Sequence, residues 1–259
     1  EGARGRFQRV GLSATVGNPV EVARWMSAEA EPIFGPAPRT TKVTVHRETP
    51  TPEDDLLAGE WAISPKSIAA FRHLAHTLIE DSPSLVFVNS RSTAETVAQR
   101  LASIVPEIEV GVHHGSLAAE TRREMEEALR AGQLHGLICT SSLELGIDIG
   151  SIRRVHQLNS PRAVDRMLQR VGRAEHHIGG VGRGDVLAWE IDDIAECAVI
   201  ARRAMAGELE GVEWRYNPAI VAANQFLQMA AERSVVPLNQ ATALLKRSTI
   251  FPQWTEEDT

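Results

Sequence analysis

The residues best equipped for chemistry fall in two short stretches, Thr140-Ser-Ser-Leu-Glu-Leu-Gly-Ile-Asp148 and Gln169-Arg-Val-Gly-Arg173. The first gathers three hydroxyls with a glycine and a carboxylate. In an exposed loop such a set can serve a phosphate and a ribose. The second carries guanidinium groups, whose paired N–H donors match phosphate oxygens. Arg162, Arg166, Gln169, Arg170 and Arg173 recur at steps of three and four. A helix beginning near Pro161 is therefore expected to put several of them on one anion-attracting face.

The elements that must position these groups follow one pattern. Residues 136–139 (Gly-Leu-Ile-Cys) form an apolar run of the length of a buried parallel strand, so the loop from Thr140 opens at a strand's C-terminal end, where open α/β sheets gather ligands. Residues 155–158 supply the next strand, and the Gln-Arg helix follows within the same βαβ unit. Either stretch taken singly is a polar turn or a solvated basic face. Their order and spacing lift them above that.

Upstream, Ser64-Pro65 marks a helix start, followed by an apolar stripe of Ile68, Phe71, Leu74, Ala75, Leu78 and Ile79. Residues 84–89 are a near-continuous apolar strand that turns through Ser90-Arg91-Ser92 into a helix over 94–104; a helix N-terminus of this kind readily takes a phosphate. Residues 109–113 form a strand that ends in His114-Gly115-Ser116, ahead of an amphipathic helix over 118–131. The adjacent histidines do not indicate zinc, because neighbours on a strand point to opposite faces. The glycine-rich run 179–184 follows a helix and precedes a strand, the wrong order for a dinucleotide loop, and is read as a flexible turn into a strand over 185–189.

The ends are less regular. Residues 10–15 read as a strand, and Asn18-Pro19 opens a helix through Trp25. The proline-rich segment 29–60 reads as a connector wrapped around one strand, 42–45. A helix over 191–206 closes the central part. Beyond Glu213, Trp214-Arg-Tyr-Asn-Pro218 leads to two helices, one through Arg233 and one over 241–246, joined by a turn containing Pro237.

The composition is that of an ordinary soluble globular protein, with 43% hydrophobic and 24% charged residues in 259. A net charge of 27 − 34 = −7 argues against a protein held on nucleic acid by bulk charge alone, so local arginine clusters must provide any such grip. Cys139 and Cys197 make neither a disulfide framework nor a paired metal motif. No apolar run approaches the ~20 residues that span a bilayer, and a cytoplasmic location is expected.

In this order the residues resemble the motifs of superfamily 2 helicases. Ser13-Ala14-Thr15 is similar to motif III, residues 84–92 to motif IV, and Thr140 to Asp148 and Gln169 to Arg173 to motifs V and VI. The phrase Ser-Ser-Leu-Glu-Leu-Gly-Ile-Asp resembles the Lhr (large helicase-related) family in particular. The resemblance implies an α/β fold with a RecA-like parallel sheet. It also implies an order of domains: 1–40, the end of a first RecA-like domain and a connector; 41–209, a complete second RecA-like domain; and 210–259, the start of a winged helix. A chain opening at Glu1 with motif III already in progress is expected to be part of a longer protein.

The roles that the resemblance implies are specific. Asn89, Ser90, Arg91, His114, Gly115, Thr140 and Ser141 would touch the nucleic-acid backbone; Gly146 and Asp148 would lie at the ATP and ribose side; Ser13 and Thr15 would couple nucleotide state to domain closure. Gln169, Arg170 and Arg173 would approach the γ-phosphate, with Arg173 the first candidate arginine finger and Arg170 the second. ATP and Mg²⁺ would be held mainly by a first motor domain, since the sequence has neither a G-x-x-x-x-G-K-[ST] loop nor an Asp-Glu metal-binding quartet. The whole protein would be an ATP hydrolase that moves 3′ to 5′ on single-stranded DNA in DNA repair, its partners being DNA or DNA/RNA strands and the rest of its own core. A Ski2-like RNA helicase and a non-catalytic nucleic-acid-binding module are the alternatives. One departure stands in motif VI, where Glu175 and His176 occupy places that the wider superfamily gives to glycine and arginine.

Overall fold

The computed structural model describes residues 8–13, 15–35, 40–144, 150–174, 180–233 and 235–258. Along the chain these form α1 (Pro19–Met26), β1 (Thr41–His46), α2 (Pro52–Trp61), α3 (Pro65–Glu80), β2 (Ser84–Phe87), α4 (Arg91–Ile104), β3 (Val110–His113), α5 (Ala119–Arg130), β4 (Gly136–Cys139), β5 (Arg154–Leu158), α6 (Val164–Val171), β6 (Gly182–Leu187), α7 (Ile191–Ala206), α8 (Ala219–Arg233) and α9 (Leu238–Leu245). They divide between two compact units. The larger comprises Ser13–Gly17 with Phe34–Glu210; the smaller comprises Glu1–Leu12, Asn18–Ile33 and Gly211–Thr259.

The larger unit is one sheet of six parallel strands in the order β1-β6-β5-β2-β4-β3. β2 and β4 are buried at every residue, as a parallel sheet covered on both faces requires. One face packs Phe71, Leu74 and Leu78 of α3 and Val97 and Leu101 of α4 against Val86, Ile138, Leu158 and Leu187. Near β1 and β6, Val164, Met167 and Val171 of α6 meet Val43, Val186 and Cys197. Leu85, Phe87, Leu137, Cys139 and Leu129 form a third cluster.

Local chemistry explains the helix starts. Ser64 accepts the Ser67 N–H at 3.2 Å and Ser90 accepts that of Thr93 at 3.1 Å, satisfying donors that the first helical turn leaves open. At α2 the Thr51 hydroxyl accepts the Asp54 N–H while Asp54 accepts the Thr51 N–H at 2.7 Å, a reciprocal capping box with Pro52 at the first position. Asp54 also receives Nε and Nη2 of Arg72 on α3, which pins the two helices together.

Three expectations are corrected here. Residues 8–13 and 15–16 are not a strand; no neighbouring strand among the described residues offers them a ladder. Within the proline-rich connector lies the helix α2, because Thr51-Pro52-Glu-Asp54 starts a helix rather than breaking one. Ile79, read as part of the apolar stripe of α3, is exposed, while Ile68, Phe71, Leu74, Ala75 and Leu78 are buried.

β6 also begins earlier than its apolar residues indicate, at Gly182. The reason is close packing: a Cβ at Gly184 would stand 2.5 Å from Cγ2 of Val171, and one at Gly182 would stand 3.2 Å from the Val171 carbonyl oxygen. Val171 is buried and β-branched, so it cannot swing away. Gly184→Ala is accordingly expected to destabilise the larger unit by about 1–3 kcal/mol, measured as a lower midpoint of chemical unfolding. A midpoint equal to that of the parent chain would show that α6 has slack against the sheet.

The smaller unit is built around α1, α8 and α9. Trp25 stacks on Trp214 with ring centroids 4.7 Å apart, and the Asn18 side chain accepts the Val212 N–H at 2.8 Å. Ala222, Leu245, Phe251 and Trp254 form its core, so Trp254 packs inward instead of offering a stacking face. No helix among the described residues is long and apolar enough to cross a membrane.

Candidate functional site

Parallel strands β2, β4 and β3 lie side by side and end on the same edge of the sheet. Their C-terminal continuations meet around a cavity of about 700 Å³ lined by Asn89, Ser90, Arg91 and Ser92 after β2, Gly115 after β3, and Thr140, Ser141 and Ser142 after β4. Six residues expected to touch a nucleic-acid backbone therefore converge, although up to 52 positions separate them in sequence. The wall is made of hydroxyls, an amide, one guanidinium and the first turn of α4. These are groups that donate to phosphate oxygens.

The loops that form this wall are braced from behind. Buried His113 contacts the Ser142 hydroxyl through Nδ1 at 2.8 Å and Glu126 of α5 through Nε2 at 3.1 Å, and the Ser142 hydroxyl donates to the His113 carbonyl at 3.1 Å. Burial lowers the His113 pKa, and the Glu126 carboxylate opposes that shift. Asn89 donates to the Ser160 carbonyl at 2.8 Å, tying the end of β2 to the turn after β5.

His114 does not line the cavity. It is buried and pairs with Glu95 of α4 at 3.0 Å, so its position is that of a brace between the turn and α4. The two histidines do point to different neighbours, α5 and α4, as strand alternation requires.

The arginine helix is corrected in two respects. α6 starts at Val164, three residues later than expected, because Arg162 takes a left-handed φ of 68° and the chain turns there. Arg162 therefore lies outside the helix and pairs with Asp193 at 3.0 Å and with Glu196, both on α7. With Arg162 and Arg173 outside the helix and Arg170 buried, the expected sharing of one helix face by several guanidinium groups is not found.

Arg170 is turned inward and is 3% exposed. Its Nε and Nη2 reach the Glu144 carboxylate at 2.8 and 2.6 Å, its Nη1 donates to Gln157 of β5, and its guanidinium lies 5.1 Å from the ring centre of Phe87 at the end of β2. All five guanidinium donors cannot serve a phosphate while three of them hold these partners. As a second arginine finger Arg170 is thus misplaced in this structure; it is a buried tie joining the loop after β4 to β5 and α6.

Arg173 lies differently, in the turn just past α6, and it is partly exposed. Gly172 makes that turn possible: a Cβ there would stand 2.9 Å from the Leu168 carbonyl oxygen. Gln169, also partly exposed, donates to the Thr15 hydroxyl at 3.3 Å, and Ser13 donates to the Thr15 carbonyl at 3.0 Å. The coupling candidates Ser13 and Thr15 and the Gln169 candidate are brought into one chain of hydrogen bonds. Gly146, Asp148, Glu175 and His176 lie outside the described residues.

No sequence motif gives a role to Glu144, Gln157 or Phe87. A carboxylate between hydroxyls and apolar residues, facing an arginine helix one strand away, was the available signal. Neither cysteine contributes chemistry. Burial pushes the Cys139 thiol far above its ordinary range and that of Cys197 up to about 12.

Comparison with known proteins agrees with this geometry. Residues 67–177 match the helicase conserved C-terminal domain. The chain is 35% identical to the ATP-dependent helicase Lhr-Core of Methanothermobacter thermautotrophicus across 98% of its own length, and 34% identical to the Lhr helicase/probable uracil glycosylase of Mycolicibacterium smegmatis across 86%. It spans 30% of the first of these relatives and 17% of the second. The structure of Mycobacterium smegmatis helicase Lhr bound to ssDNA and AMP-PNP superposes with a TM-score of 0.80 at 33% identity, over 96% of this chain and 33% of that one. Overall fold and identity along nearly the whole length thus agree, and the chain belongs to the Lhr-type superfamily 2 helicases, in the stretch that carries their C-terminal RecA-like domain.

Proposed function

We propose that this stretch supplies half of the motor of an ATP-dependent helicase, gripping a nucleic-acid strand by its backbone and presenting Arg173 to a triphosphate held by another domain. The observation that carries the proposal is the convergence of Asn89, Ser90, Arg91, Gly115, Thr140 and Ser141 on one cavity at the C-terminal edge of the sheet. Contacts of that kind read phosphates rather than base edges, so little sequence preference is expected. The whole protein is read as translocating 3′ to 5′ on single-stranded DNA, in DNA repair and in the cytoplasm. Residues 1–40 are read as the end of a first RecA-like domain, 41–209 as the second and 210–259 as the start of a winged helix; Gly146 and Asp148 are assigned to the nucleotide side.

The grip is tested by fluorescence anisotropy with labelled single strands. Arg91→Ala is expected to weaken binding to all sequences alike and to reduce the salt dependence by about one counterion, and Thr140→Val to weaken it by removing one charge-assisted hydrogen bond, worth about 1.5–3 kcal/mol. Unchanged affinity in both variants would place the strand elsewhere. Tailed DNA:DNA and RNA:DNA duplexes, compared in unwinding by the full-length protein, separate a DNA motor from an RNA motor.

ATP and Mg²⁺ enter with the other domain. The residues of this chain fit the completing role only: a partly exposed arginine in a glycine-shaped turn, with no phosphate loop or acidic quartet in the sequence. Phosphate release by the 259-residue chain alone is therefore expected to stay at the rate of buffer, with or without nucleic acid. Turnover above that rate, abolished by Arg173→Ala, would overturn the assignment.

A further inference from the structure

We propose that His46, Glu48 and His73 form a binding site for a divalent transition-metal ion of the Zn²⁺ type, remote from the strand cavity. Each side chain offers a ligand atom, and these atoms lie within 4.8 Å of one another. His46 ends the edge strand β1, Glu48 follows two residues later, and His73 projects from α3. Tetrahedral ligands at about 2.1 Å from a zinc ion stand roughly 3.4 Å apart. Small side-chain rotations close the difference.

What surrounds the three residues is as informative as the three themselves. His46 Nε2 lies 2.8 Å from Asp185 Oδ1 on β6, and Asp185 is itself held by Arg154 Nη1 at 2.8 Å. Donation from Nε2–H to the carboxylate leaves the lone pair on His46 Nδ1, the outer-shell arrangement that orients metal-binding imidazoles and raises their basicity. His73 Nδ1 is 3.1 Å from Glu48 Oε1, while its Nε2 is buried without a hydrogen-bond partner. Beneath them His156 is wholly buried, neither ring nitrogen has a partner, and Nδ1 is 4.0 Å from Asp185 Oδ2.

Of these unbonded atoms, Nε2 of His73 belongs to the cluster itself, and a buried polar atom without a partner calls for an ion or a water. The rings of His46 and His73 are 4.6 Å apart between centroids, so two imidazolium charges there would repel, whereas one shared cation satisfies both. Side-chain exposures of 23%, 30% and 24% for His46, Glu48 and His73 leave the ligands reachable from solvent. Two imidazoles with a carboxylate suit Zn²⁺, Co²⁺ or Ni²⁺ and disfavour Mg²⁺, so this ion is distinct from the one that accompanies a nucleotide. Its effect would be to clip the edge strand β1 to α3.

The test uses the 259-residue chain stripped with a chelator and titrated with Zn²⁺ by calorimetry, with Co²⁺ as the spectroscopic probe. One ion per chain is expected, with a rise in the thermal midpoint and with Co²⁺ absorption bands in the visible. His46→Gln and His73→Gln should each abolish the tight site. His76→Gln, at an exposed histidine paired with Glu80, should keep it. If His73→Gln fails to fold by circular dichroism, Glu48→Gln, whose carboxylate is outside the core, decides in its place. No Zn²⁺ bound by the parent chain, or equal binding by the variants, overturns the proposal; neither result bears on the helicase reading.

Discussion

Arg173→Ala in the full-length protein is expected to slow ATP hydrolysis by about 10³–10⁵-fold, the range over which an arginine inserted at a transferring phosphoryl group acts, while affinity for a single strand stays that of the parent. Of the two guanidinium groups first considered, only this one sits at a partly exposed turn; Arg170, one helical turn earlier, is committed to Glu144, Gln157 and Phe87. Arg173→Lys should recover little, because an ammonium is a point charge that cannot reproduce the planar fork across two phosphate oxygens. Steady-state phosphate release and strand anisotropy, measured on the same preparations, separate the outcomes. Loss of both activities together would make Arg173 part of the fold. Retention of hydrolysis, with loss instead in Arg166→Ala, would transfer the role to the exposed arginine on α6.

Much of this architecture was legible because strand and helix signals agreed with their motifs. Residues 84–87 and 136–139 are apolar at nearly every position, and a run so short and so continuous has few alternatives to a buried parallel strand. Ser64-Pro65 announced α3, and the same logic applied to Thr51-Pro52 would have found α2; the density of prolines nearby obscured a cap that the chain uses twice. The convergence of the cavity residues followed from strand ends sharing an edge, which topology dictates once all strands are parallel. The direction of each arginine was not legible. A step of four places Arg166 and Arg170 near one face of a helix, yet which side of that face meets the sheet depends on Val164, Met167 and Val171 packing against β1 and β6. The His46, Glu48 and His73 cluster was likewise hidden, because its ligands come from a strand, a loop and a helix with no fixed spacing between them.

Arg170→Ala is expected to destabilise the larger unit by about 3–5 kcal/mol, the penalty of leaving a buried carboxylate without its counterion, and Glu144→Ala by a similar amount for the opposite reason. Glu144 and Arg170 are both buried and joined by two N–H contacts at 2.8 and 2.6 Å, so neither charge can recover its lost hydration when the other is removed. The double variant Glu144→Leu with Arg170→Met removes both charges and fills similar volume, which in buried pairs is often neutral for stability. Its unfolding midpoint should approach that of the parent chain and exceed that of either single alanine variant. Activity should not follow stability. The pair joins the loop that ends the Thr140–Ser141 wall to the helix that carries Gln169 and leads to Arg173, so a well-folded double variant of the full-length protein should still bind strands yet hydrolyse ATP with weaker stimulation by them. Full stimulation in that variant would reduce the ion pair to a piece of core, and loss of stability equal to the sum of the single changes would show that the two side chains do not act on each other.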